Sequence, residues 1–261
     1  MNTVQLHCDT VGSGPDVVVL HGLFGAGRNW LSIARALAGE FRFHLVDLRN
    51  HGRSPHAPSM TYLDMAADVR ALAERLALPS FTLVGHSMGG KVAMTLALVD
   101  PVRIARLVAV DIAPVSYPDR FAEMIRAMRA LDLAAIRRRA EADRALAAAI
   151  PELAVRQFIL QNLSFSGGLA AWRANLAALE DQMPYILGPL PVAEDARYPG
   201  PTWFVRGALS DRVKPEHFAM MERWFPGHRL ETVAGGGHWP HAEAPETFMA
   251  SFRRALGADA A

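Results

Sequence analysis

The stretch Gly85-His86-Ser87-Met88-Gly89 sets a serine between two glycines, and its flanks give that serine a use. Phe81 to Val84 reads as a strand running into it, and Val92, Leu96 and Val99 follow at helical spacing. Strand, sharp turn and helix is the context in which G-x-S-x-G holds a nucleophile. Small residues two positions either side let strand and helix approach, and the strained backbone lifts the serine Oγ clear of the sheet. The N–H groups opening the following helix then face any negative charge that forms there. A serine hydroxyl does not attack unaided at neutral pH, so Ser87 needs a base within hydrogen-bond reach, and the base needs an orienting carboxylate.

Position in the chain selects the base. In a parallel sheet the loops following the strands share one edge, and ligands bind there. His238, in Ala234-Gly-Gly-Gly-His-Trp-Pro240 after the last predicted strand, meets that condition. His217 falls inside a predicted helix and His228 precedes a strand, so His241 is the remaining rival. Reading His238 and His241 as a metal pair fails for want of the helix and glutamate such a motif needs, and no metal is expected. Two aspartates compete to orient the base: Asp211, in the loop after Thr202 to Arg206, is the first choice, and Asp111, at the end of Leu107 to Ile112, is the alternative. Both give the chain order Ser, acid, His. Backbone N–H groups should bind the developing oxyanion: Met88 directly after the nucleophile, and Leu23 in His21-Gly-Leu-Phe-Gly25, with Phe24 as the fallback and His21 bracing the loop.

The elements that must hold these residues alternate. Val4 to Val11, Val17 to Leu20, Phe41 to Leu48, Phe81 to Val84, Leu107 to Ile112, Thr202 to Arg206 and Leu230 to Val233 read as strands. Between them run helical patterns such as Trp30, Ile33, Ala34 and Leu37, or Met65, Val69, Leu72 and Leu76 behind a Thr61 cap. The expected architecture is α/β, a mostly parallel sheet with helices on both faces. From Ser116 to Tyr198 only helical periodicity is visible, through Phe121, Met124, Ile125 and Met128, then Leu153, Phe158 and Ile159, then Trp172, Leu176 and Leu179. Residues 116–198 are therefore expected to form a helical cap over the strand ends, with 1–115 and 199–261 as the core and Pro184, Pro189, Pro191, Pro199 and Pro201 marking the way out of it. Arg137-Arg-Arg139 with Glu141, Asp143 and Arg144 reads as a mixed-charge face.

At 261 residues, 51% hydrophobic and 20% charged, with net charge +1, the chain can bury a large core and gives no reason to expect nucleic acid or an anionic membrane surface as a partner. Its single cysteine, Cys8, cannot form an internal disulfide, Met1 to Thr10 does not read as a signal sequence, and no apolar run reaches membrane-spanning length. A reducing, cytoplasmic location is expected.

Three strings, His21-Gly-Leu-Phe-Gly25, Asp47-Leu-Arg-Asn-His-Gly-Arg-Ser-Pro55 and Gly85-His-Ser-Met-Gly-Gly-Lys91, give the chain a resemblance to the α/β-hydrolase superfamily, and more closely to the small YbfF-type esterases and their mitochondrial relatives. Val110-Asp-Ile-Ala-Pro114 and Gly237-His-Trp239 support it; residues 116–198 are not diagnostic. The resemblance implies an α/β-hydrolase fold and hydrolysis of small-molecule carboxylic esters or thioesters through an acyl-enzyme, without a cofactor. Members of this subgroup often lack an aspartate matching Asp211 while keeping the one matching Asp111, which raises the standing of Asp111 in a chain that has both. The alternatives are an amidase or peptidase using the same residues, and a slow-turnover binding module. A carboxylate-nucleophile enzyme would need an acid where Ser87 stands.

Overall fold

Runs such as Val17-Val-Val-Leu20 and Leu107-Val-Ala-Val110 are apolar at consecutive positions, as strands covered on both faces must be. In the computed structural model, which describes residues 2–257, they lie in the middle of a seven-stranded sheet. In chain order the first elements are β1 (Cys8–Gly12), β2 (Asp16–Leu20), α1 (Leu31–Ala36), β3 (Arg42–Val46), α2 (Tyr62–Arg75), β4 (Phe81–His86), α3 (Met88–Val99) and β5 (Ile104–Val110). An insertion follows: α4 (Ala122–Ala130), α5 (Arg139–Leu146), α6 (Leu153–Leu160), β6 (Leu163–Ser166), β7 (Leu169–Trp172) and α7 (Leu176–Leu187). The chain then returns through β8 (Thr202–Gly207), α8 (Phe218–Trp224), β9 (Arg229–Val233), α9 (Pro240–Glu243) and α10 (Pro245–Leu256).

The strand order is β1-β3-β2-β4-β5-β8-β9, with β1 antiparallel to β3 and every other neighbour parallel. Alternate residues of the central strands feed two cores. Val18, Leu20, Leu83 and Leu107 pack toward α2, α3 and the insertion, while Val17, Val19, Val84 and Val108 pack against Trp30, Ile33, Phe248 and Phe252 on the other face. Thr61 caps α2 as its position suggests: its hydroxyl accepts from the Asp64 N–H, and the Asp64 carboxylate accepts from the Thr61 N–H.

The insertion differs from the helical reading in two places. Leu163–Ser166 and Leu169–Trp172 form an antiparallel hairpin around Gly167-Gly168, both with positive φ, so Trp172 is a strand residue and no part of a helical stripe. Pro184 lies inside α7 and not in a linker. The insertion also has no core of its own: Ile125, Met128, Ile159, Leu163 and Leu179 are continuous with the sheet-face core. Lys91, buried in α3, ties both of its ends down by donating to the carbonyls of Val115 and Gly188.

The tightest approach is between β4 and α3. A Cβ on Gly85 would overlap the Gly89 carbonyl, and one on Gly89 would sit 2.5 Å from the His21 carbonyl oxygen. Gly85→Ala is therefore expected to lower unfolding free energy in urea by about 1–3 kcal/mol. Gly39→Ala, whose Cβ meets nothing within 4 Å, is expected to leave it unchanged. Equal stability of the two variants would contradict this account of the turn.

Candidate active site

Ser87 follows β4 directly with φ 51° and ψ −120°, a conformation that costs a non-glycine residue on the order of 1–3 kcal/mol and persists only where the surroundings impose it. Here they do: its N–H donates to the Val110 carbonyl, and its own carbonyl accepts from Gly90 and Lys91 at the start of α3. The hydroxyl is left facing His238, with Oγ 3.1 Å from Nε2. His238 Nδ1 lies 2.8 Å from Asp111 Oδ2, and Asp111 is fully buried. The remaining capacity of that carboxylate is filled by the Gly207 N–H at 3.0 Å and the Ser210 hydroxyl at 2.5 Å. The Nδ1–H of His238 therefore has one acceptor, which leaves Nε2 free to receive a proton from Ser87.

Asp211, the first choice from the sequence, is not brought to His238. Its half-exposed carboxylate pairs with Arg120 at 3.1 Å and Arg212 at 3.7 Å. Partial burial raises its pKa, but the two guanidiniums outweigh that and hold it below the usual carboxylate range. The reason lies in the route of the histidine loop. A Cβ on Gly207 would stand 2.5 Å from the Gly236 carbonyl oxygen, so the loop after β9 folds across the end of β8 toward β5. Asp211, farther along the β8 loop, is left on its outer side. The rival base His241 is turned away as well. Its ring stacks on Trp30 at 4.8 Å between centroids, on the opposite core from the cleft.

Leu23 and Met88 both border this site. Gly22 lies against Ser87, since a Cβ there would be 3.2 Å from the Ser87 Cβ, and the Leu23 N–H that follows has no internal acceptor among the described residues. Met88 opens α3, and its N–H has no internal acceptor among the described residues. The fallback donor Phe24 is taken: its N–H donates to His51 Nε2 at 3.1 Å. Beside Ser87 and His238 runs a cleft of about 420 Å³, walled on the insertion side by Phe121, Met124, Ile150, Val155 and Phe158.

Three buried histidines support this edge. His21 Nδ1–H donates to the Gly22 carbonyl while Nε2 accepts from Leu48 N–H, and His51 Nδ1–H donates to the Arg49 carbonyl while Nε2 accepts from Phe24. His86 Nε2–H donates to the His238 carbonyl at 2.7 Å. A ring that both donates and accepts must be neutral, and burial acts the same way: it lowers the pKa of His21, takes His86 well below the ordinary value, and pushes His51 to about 3. Sequence reasoning found His21 but passed over His51, His86 and Ser210. The first two sit inside the quoted strings Asp47 to Pro55 and Gly85 to Lys91, so only their pairing was hidden. Among the described residues no group of three His, Cys, Asp or Glu side chains is arranged to hold a metal, and no helix is long and apolar enough to cross a membrane.

Residues 17–251 match the alpha/beta hydrolase family. The chain belongs to that family. It is 37% identical to the esterase YbfF of Escherichia coli over 243 residues, covering 92% of each, and 40% identical to the sn-1-specific diacylglycerol lipase ABHD11 of Mus musculus over 243 residues, covering 90% of this chain and 78% of the mouse protein. A solved marine microorganism esterase, 33% identical, superimposes with a TM-score of 0.94 over 97% of this chain and all of that one. The chain is thus an α/β-hydrolase of the esterase and lipase type.

The buried histidines carry a pH signature. Their folded pKa values lie below the unfolded value of about 6.5, so the stability they contribute is complete above that pH and is lost as pH falls toward 3 or 4. The melting temperature should hold between pH 7 and 8 and drop between 6.5 and 4. His241, pushed by burial to about 4, has an Nδ1 without a partner among the described residues, so His241→Phe should narrow the difference between pH 7 and pH 4.5. An unchanged difference would rule out protonation of His241 as a contributor.

Proposed function

We propose that Ser87, His238 and Asp111 form the catalytic triad of a serine esterase or thioesterase for small to medium acyl chains, with the N–H groups of Leu23 and Met88 as the oxyanion hole. The observation that carries this reading is the unbroken relay from Ser87 Oγ through the His238 ring to the buried Asp111 carboxylate, 3.1 Å and 2.8 Å long. In the acylation step Ser87 Oγ attacks the ester carbonyl as its proton passes to His238 Nε2. The tetrahedral oxyanion is held by the two N–H groups, and collapse expels the alcohol or thiol with that proton. Water repeats the sequence on the acyl-enzyme and returns Ser87 to its starting state. Asp111 keeps the imidazole in the Nδ1–H tautomer and stabilises the imidazolium when it forms. Fixed backbone dipoles suit the oxyanion because they need no reorganisation when the charge appears; each is worth on the order of 3 kcal/mol.

Residues 116–198 act as the cap in this scheme, over a core of 1–115 and 199–261, and the apolar side chains they add to the cleft receive the acyl chain. The mouse relative is named a diacylglycerol lipase and the bacterial relative an esterase, so glycerolipid esters and simple esters are both candidate substrates. A panel of esters from two to sixteen carbons distinguishes them, and parallel amide substrates test the amidase alternative. A cytoplasmic site of action accords with a single, half-buried Cys8 whose thiol burial pushes up to about 11, keeping it protonated and unreactive.

Ser87→Ala should abolish p-nitrophenyl butyrate hydrolysis while leaving the circular dichroism spectrum intact. Asp111→Asn should lose about 10⁴-fold in kcat, as removal of a triad carboxylate does elsewhere. Asp211→Asn should stay within a few-fold of wild type, since an exposed ion pair is worth at most about 1 kcal/mol. A loss at Asp211 matching that at Asp111 would refute the assignment of the acid.

A further inference from the structure

The donor assigned to Leu23 belongs to a loop whose three successive peptide groups are each held by a different side chain. The Gly22–Leu23 peptide is fixed through its carbonyl, which accepts from His21 Nδ1–H at 2.8 Å and from the Gly25 N–H at 2.9 Å. In a planar trans peptide the N–H points opposite to the C=O, so the Leu23 N–H keeps its direction only while the turn that brings the Gly25 N–H back to this carbonyl stays closed. The Leu23–Phe24 peptide is held by its N–H, which donates to His51 Nε2 at 3.1 Å. The Phe24–Gly25 peptide is held by its carbonyl, which accepts from Asn162 Nδ2 at 2.6 Å. Between these last two bonds Phe24 adopts φ 60°, a conformation that a bulky side chain leaves unless it is restrained on both sides.

The two restraints on Phe24 come from different parts of the molecule. His51 is buried in the loop after β3, where its Nδ1–H is fixed on the Arg49 carbonyl, and the buried Arg49 guanidinium makes a two-pronged pair with Asp68 of α2 at 2.6 and 2.8 Å. Asn162 belongs to the insertion, between α6 and β6, is 3% exposed, and is fixed by its own N–H to the Ile159 carbonyl and by its carbonyl to the Arg173 N–H. Its neighbour Gln161 makes separate contacts with the core, accepting from Arg28 and from Asn29 Nδ2.

We infer that Asn162 and His51 are positioning residues of the oxyanion hole: by gripping the Phe24 peptide groups from the insertion and from the core, they hold the Leu23 N–H toward the reacting carbonyl. The insertion thus completes the catalytic apparatus as well as walling the cleft. This rests on the esterase reading given above. Neither side chain touches substrate; without either grip Phe24 relaxes toward negative φ and the Leu23 N–H swings off line.

The test uses the full chain and p-nitrophenyl butyrate. Asn162→Asp, which has no N–H to donate, and Asn162→Ala should lower kcat about ten- to a hundredfold with KM within about threefold, less than outright loss of an oxyanion donor. Affinity for a trifluoromethyl ketone, which presents a tetrahedral oxyanion, should fall in proportion to kcat. Gln161→Ala, which cuts a neighbouring insertion-to-core bond without touching Phe24, should leave kcat within twofold. His51→Gln, which keeps an acceptor, should retain more activity than His51→Leu. The inference is overturned if the Asn162 variants keep wild-type kcat, or if Gln161→Ala or a matching loss of thermal stability accounts for the decline. A wild-type chain with no esterase turnover and no fluorophosphonate labelling of Ser87 would instead remove the underlying reading and this inference with it.

Discussion

A serine held at φ 51° is the constraint on which the site depends, and the sheet is arranged to sustain it. Among the described residues, four of the five positive-φ residues other than glycine, Phe24, Asn50, Ser87 and Asp111, follow β2, β3, β4 and β5, which are neighbours in the sheet. Strain is concentrated on one edge, at the ends of buried strands that cannot yield. Each such residue costs on the order of 1–3 kcal/mol, a substantial part of the roughly 5–15 kcal/mol that keeps a domain folded. The apolar strands offset it by burying both faces, and the hydrogen bonds that close each turn ensure that strain at one position cannot relax without disturbing the next.

Electrostatics at this edge follow from the same burial. His21, His51 and His86 surround Ser87 and the loop of residues 22–25 as neutral rings, each directing an N–H or a lone pair at a backbone group. Had they carried charge they would have competed with the reacting centre for negative charge and raised the cost of an imidazolium on His238, whose ring lies 4.9 Å from that of His86. Kept neutral, they act as fixed dipoles. In the proposed triad the carboxylate that stabilises the imidazolium is Asp111, whose oxygens are otherwise satisfied by Gly207 and Ser210.

How much of this could be read in advance depends on the range of the interaction. Ser87 was legible because strand, turn and helix are contiguous in sequence, and His238 because a glycine-rich loop after the last strand can only open on the carboxyl edge. The sheet was legible from runs such as Val17 to Leu20. The hairpin at Leu163–Trp172 was missed although Gly167-Gly168 is a turn signal, because four-residue strands carry too short a period to stand out among helical stripes. Asn162, His51 and Ser210 were out of reach for a different reason. Their partners lie 138, 27 and 99 residues away, and no local pattern marks an asparagine that will meet the carbonyl of residue 24.

The ambiguity between the two aspartates shows where local reading ends. Asp111 and Asp211 follow β5 and β8, which are adjacent and parallel, so edge and chain order treat them alike. What separates them is the height and direction of a third loop. The glycines at 236 and 237 let the chain after β9 lie flat across Gly207 at the tip of β8, and a loop that crosses there delivers its imidazole beyond β8, over β5. A carboxylate reaching the ring from β8 would have to rise through that crossing. One reaching it from β5 needs only to turn back under it, and positive φ at residue 111 supplies that turn. The β8 loop still contributes Ser210, whose hydroxyl donates to the Asp111 carboxylate, so both loops serve the same histidine at successive removes. An extra side chain at residue 207 would lift the crossing and lengthen the Asp111–His238 bond, which makes this glycine as much a determinant of the proposed acid as the aspartate itself.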